Sequence, residues 1–111
     1  MNIRCEDYDH VSVLTCAGEL TYDTTDALRH QISERLDKKI RFFVLDLQTV
    51  TFLDSKGLET LLWIQTQCDE RLGQVRLCNL DETCAKILQV TRLDGHFDLF
   101  TDVTEAVKNM R

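Results

Sequence analysis

The run Arg41-Phe42-Phe43-Val44-Leu45-Asp46-Leu47 constrains this chain more than any other segment. A strand with one wet face alternates apolar and polar residues. A strand covered on both faces reads instead as a nearly continuous apolar stretch. The run therefore predicts a buried central strand with material packed on each side. Asp46, alternating with apolar neighbours, is expected as an exposed carboxylate at the strand end.

The rest of the chain supplies that material. Ile3 to Tyr8 and Val11 to Ala17 read as strands joined by a turn at Asp9-His10, a hairpin pattern with Val11 and Val13 on one face and Leu14 and Cys16 on the other. Gly18-Glu19-Leu20-Thr21 is expected to leave the strand. Tyr22-Asp23-Thr24-Thr25 offers capping side chains to a helix over 24–36, whose apolar positions are Ala27, Leu28, Ile32 and Leu36. A second helix follows Ser55 and is expected to stop near Leu72-Gly73. Val75 to Cys78 is a short strand, and Asp81 starts a third helix. Phe97 to Phe100 is an edge strand, and Val103 to Met110 a last helix. Alternating strands and helices imply α/β architecture with right-handed crossovers.

Composition sets limits on function. With 111 residues, the chain is expected to form one domain with one core. No apolar stretch reaches the roughly 20 residues of a membrane span. The first residues turn acidic without an apolar signal region, so a cytoplasmic protein is expected, with no membrane insertion. Net charge is −6, and cations cluster only around Lys38, Lys39 and Arg41, which argues against direct nucleic-acid binding. The five cysteines include no CxxC pair and are expected to be buried, reduced thiols.

Candidate chemistry concentrates at Phe52-Leu53-Asp54-Ser55-Lys56-Gly57-Leu58, where the buried strand turns into the second helix. The first amides of a helix lack intrahelical partners, and that end carries partial positive charge. Ser55 has two readings there: it caps the helix, or it carries a phosphate. Gly57 is expected to leave the first amides uncovered for an approaching group, although a tight turn explains it equally. Further along, Leu58, Leu61, Leu62, Gln65, Cys68 and Leu72 fall on one face of the helix, with Trp63 nearly opposite. Trp63 is then either an interface anchor or covered by a neighbouring element. Catalysis finds little support. Ser55 is not in a GxSxG elbow, the three histidines are scattered, and there is no GxGxxG or phosphate-binding loop.

These residues resemble the STAS domain of bacterial anti-sigma factor antagonists over nearly the whole chain. Gly18-Glu19-Leu20 resembles the family's G-E-L segment. Phe43-Val44-Leu45-Asp46-Leu47 is similar to its central strand, and Asp54-Ser55-Lys56-Gly57-Leu58 to its D-S-[ST]-G-L phosphorylation motif. Val75 to Leu80, followed by a helix, is similar to its fourth strand and third helix.

The resemblance implies the α/β STAS fold, a mixed central sheet of four to five strands with about four helices. It also implies a partner switch. The unphosphorylated antagonist binds an anti-sigma factor that is a serine kinase, and sigma factor is released to direct transcription. The kinase phosphorylates the motif serine, here Ser55, using ATP, and the complex dissociates; a serine phosphatase resets it. The antagonist has no catalysis, cofactor or metal of its own. Carried onto this chain, the partner-binding residues are Glu19, Thr21, Asp23, Asp54, Ser55, Lys56 and Gly57. Two of them depart from the pattern. Lys56 replaces a small residue, and Thr21 stands where many antagonists have aspartate, leaving Asp23 as the nearest carboxylate. A second expectation is a constitutive STAS adaptor in a signalling complex or a lipid-transport ATPase, contacting its partner through Trp63 with Ser55 unmodified.

Overall fold

A computed structural model describes residues 1–110. The chain runs β1 (Asn2–Tyr8), β2 (Val11–Leu20), α1 (Thr25–Asp37), β3 (Phe42–Leu53), α2 (Ser55–Glu70), β4 (Gln74–Cys78), α3 (Glu82–Val90), a single 3₁₀ turn at Asp94–His96, β5 (Asp98–Phe100) and α4 (Val103–Val107). The strands form one mixed sheet in the order β1-β2-β3-β4-β5. Only the β1–β2 hairpin is antiparallel; β2 through β5 run parallel.

The apolar run lies in the centre of this sheet, as its composition demands. Phe43, Leu45 and Leu47 face one side, where they pack with Leu28, Ile32 and Leu36 of α1, Leu61, Ile64 and Cys68 of α2, and Cys84 and Leu88 of α3. Phe42 and Val44 face the other side, with Val11, Val13, Cys78, and Ala106 and Met110 from the α4 region. Three helices thus cover one face and one short helix part of the other. At about 25 cal/mol per Å² of buried apolar surface, this two-sided burial is the main stabilising term.

Several boundaries differ from expectation. β2 does not end at Ala17 but continues through Gly18-Glu19-Leu20, because β3 also continues, to Leu53, and supplies a parallel partner up to the pair Leu20–Leu53. The register shifts twice along this stretch, and Gly18 takes φ +108, a conformation that a side chain disfavours. Asp46 is buried within β3 rather than exposed at its end. Its Oδ1 accepts hydrogen bonds from the Gln48 amide and the Asn79 side-chain amide, which offset its burial. α2 stops at Glu70, and Leu72 adopts φ 59 and is 83% exposed rather than extending the buried face. α4 stops at Val107, and Met110 reaches the core from beyond the helix.

Candidate functional site

Two connections meet at the carboxyl ends of β2 and β3. The first carries Glu19, Thr21 and Asp23 from β2 into α1. The second carries Asp54 to Gly57 from β3 into α2. Parallel pairing of Glu19 with Phe52 and of Leu20 with Leu53 brings them side by side. The Asp54 amide then donates to the Leu20 carbonyl at 3.3 Å. Positions far apart in sequence thereby form one surface at the strand ends, the usual location of binding sites in open parallel sheets.

Asp54 holds this surface together. It is the N-cap of α2, and its Oδ1 accepts from the Gly57 amide at 2.8 Å. Its Oδ2 accepts from the Tyr22 amide, in the other connection, at 3.0 Å. One carboxylate therefore caps the helix and ties down the β2–α1 loop. The Gly57 amide bond holds the Asp54 carboxyl below its usual range; modest desolvation opposes this, while the Tyr22 and Lys56 amides reinforce it.

Ser55 is consequently not the cap. It is the first residue of α2 and is exposed, and its hydroxyl has no hydrogen-bond partner among the described residues. Of the helix-end amides expected to be open, that of Gly57 is taken by the Asp54 carboxylate and that of Leu58 by the Asp54 carbonyl. Gly57 serves a different purpose from the one expected. It is buried, and a Cβ there would stand 2.3 Å from the Leu20 carbonyl oxygen. Its missing side chain lets α2 close onto the end of β2; it does not hold a docking surface open.

The remaining residues divide between this surface and the helix behind it. Glu19 and Asp23 are exposed. Thr21 is half-buried; its amide donates to Thr24 Oγ1 at 2.9 Å, and its carbonyl accepts from the Thr24 and Thr25 amides. Thr24 Oγ1 in turn donates to the Glu19 carbonyl at 2.7 Å, so this threonine folds the loop without capping α1. Lys56 lies 3.7 Å from Glu59, an exposed pair one turn apart. Trp63 does not join the surface. It lies farther along α2, half-buried against the core, with the Arg29 guanidinium of α1 4.8 Å above its ring. Of the two readings of Trp63, the structure favours cover by a neighbouring helix.

Sequence reasoning passed over two residues here. Tyr22 is 73% exposed in the β2–α1 loop, and Phe52 is 41% exposed at the end of β3. In the sequence, Tyr22 stands in a segment of capping residues and Phe52 at the start of the Asp54-Ser55 motif. Their signal was an aromatic residue in a loop and another beyond the buried run.

Comparison with known proteins places this geometry. The STAS domain family model matches residues 2–106. The anti-sigma F factor antagonist of Paenibacillus polymyxa is 27% identical over 113 residues, covering 99% of this chain and 97% of that protein. A crystal structure from Thermotoga maritima superposes with a TM-score of 0.91 at 22% identity, covering 98% of this chain and 94% of the other. The crystal structure of an anti-sigma factor antagonist from Mycobacterium paratuberculosis superposes with a TM-score of 0.82 at 28% identity, covering 99% and 93%.

Proposed function

The chain belongs to the STAS domain family, and from that premise we propose that it is an anti-sigma factor antagonist switched by phosphorylation of Ser55. Unmodified, it binds an anti-sigma factor with serine kinase activity across the surface formed by Glu19, Thr21, Asp23, Asp54, Ser55 and Lys56. Phosphorylation of Ser55 releases that partner, and a phosphatase restores binding. The protein is the substrate and binding module of this cycle, with the chemistry done by its partners.

The observation that carries this reading is the division of labour between Asp54 and Ser55. Asp54 does the capping, so the Ser55 hydroxyl is left exposed and, among the described residues, unpaired for modification. A phosphate adds about −1.5 to −2 charges there. Because Ser55 is exposed and Asp54 already caps the Gly57 amide, that charge projects toward whatever docks. The fold stays as it is while the contact is lost. Lys56, already near Glu59, offers a phosphate one mobile cation and not a built anion site.

The test pairs mass spectrometry with mutagenesis. Protein isolated from its own cells, with and without stress, is expected to carry phosphate on Ser55 in one condition. Ser55→Asp is expected to abolish binding to the anti-sigma partner while leaving the melting temperature nearly unchanged, and Ser55→Ala to bind constitutively. An unmodified Ser55 in every condition, with both variants still bound and Trp63→Ala unbound, favours the adaptor reading instead.

A further inference from the structure

Tyr22 and Phe52 are large, exposed and unassigned, and they belong to the two segments that meet at the turn carrying Ser55. Phe52 precedes Ser55 by three residues and pairs with Glu19 across the strands. Tyr22 is fixed beside the same turn through its amide bond to Asp54. Apart from half-buried Phe100, the other phenylalanines, Phe42, Phe43 and Phe97, are buried; the remaining exposed large apolar residues, Tyr8, Leu72, Val90 and Leu99, belong to other segments. Exposed aromatics with a polar surround are the residues that most often act as binding anchors.

The surround is acidic. Glu19, Asp23 and Asp26 are exposed on the β2 end, the loop and the first turn of α1, while Asp54 and Glu59 lie on the α2 side. Lys56, the cation of that α2 turn, sits beside Glu59.

We propose that Tyr22 and Phe52 are the apolar anchors of the partner-binding surface, and that the partner presents apolar pockets rimmed by lysine and arginine. This rests on the partner-switch reading and goes further by assigning two residues and the chemistry of the opposing face. It also accounts for how added negative charge can break a contact with a basic partner. Cations at the rim guide encounter, but the complex holds together by drying the two aromatic rings. A phosphate on Ser55 must shed its hydration to fit beneath a docked partner, and the cost exceeds what rim cations return.

The test places the photocrosslinking residue p-benzoylphenylalanine at position 22, at position 52, and at exposed Leu72 as a distant control, in the full chain within its own cells. Crosslinks from 22 and 52 to one protein, through peptides rich in lysine or arginine, are expected. That protein, purified, is then expected to bind Tyr22→Ala and Phe52→Ala about thirtyfold more weakly than wild type, the loss of an anchor residue. Circular dichroism of both variants checks that they remain folded. Crosslinks to acidic peptides overturn the proposal, as do equal crosslinking at 72 or affinities within about threefold of wild type. If the crosslinks at 22 and 52 persist unchanged in Ser55→Asp, the anchors stand and the phosphorylation switch falls.

Discussion

Gly57 and Asp54 act together at the scale of the single residue. Asp54 supplies the capping carboxylate, and Gly57 supplies the gap that lets the capped turn rest on the Leu20 carbonyl. Ser55 between them is left with no structural duty. Gly57→Ala tests this arrangement. Within a helix, alanine is favoured over glycine by about 0.5–1 kcal/mol. Here the new Cβ would meet backbone at 2.3 Å, and forced displacement in a packed region costs about 1–3 kcal/mol. The clash wins, so the variant is expected to lose roughly 1–2 kcal/mol in urea unfolding, the difference between those two effects. Unchanged or improved stability would show that α2 can lift away from β2 freely. The D-S-x-G-L pattern marked this site in the sequence. The reason for its glycine was not legible there, because the atom it avoids belongs to Leu20, some 37 positions earlier.

Legibility at the scale of the element followed the same rule. The five strands and four α-helices of the described residues were legible in the sequence, whereas the 3₁₀ turn at Asp94–His96 was not. Nor were the ends and faces that depend on a distant partner. Gly18-Glu19-Leu20 has poor strand propensity, yet it pairs because β3 runs on beside it. The buried face of α2 is Gly57, Thr60, Leu61, Ile64 and Cys68, rotated away from the leucine count. Thr60 hid that face by being polar; its hydroxyl donates to the Lys56 carbonyl at 2.9 Å and so can be buried. This rotation brings Trp63 toward α1, beneath Arg29. Arg29→Ala is expected to shift the fluorescence of the chain's one tryptophan to longer wavelength and to cost about 0.5–1 kcal/mol. An unmoved emission maximum would mean that Arg29 does not shield the ring.

The thiols report on the whole molecule, because the core spans both faces of the sheet. Cys16, Cys68 and Cys84 lie in the three-helix face and Cys78 under α4, all buried, while Cys5 on the edge strand is partly exposed. Burial pushes the Cys16, Cys68, Cys78 and Cys84 thiols up to about 12 from an ordinary 9.0. Cys5 is also raised, chiefly by burial, with Arg35 opposing. A group whose folded pKa is raised contributes stability that is fully present below its unfolded pKa. Between pH 9 and 12 the unfolded chain releases these protons and the folded chain does not, so stability is expected to fall across that window. Below it, the four buried thiols are neutral and screened, and a thiol reagent reaches them only when the core opens. Native protein at pH 8 under dilute Ellman's reagent is therefore expected to release one equivalent of chromophore slowly, from Cys5. The remaining four of the five cysteines should follow at a common rate that rises with urea. If Cys78 reacts well ahead of Cys16, Cys68 and Cys84, then α4 opens as a unit of its own, and the two faces of the sheet are not one cooperative core.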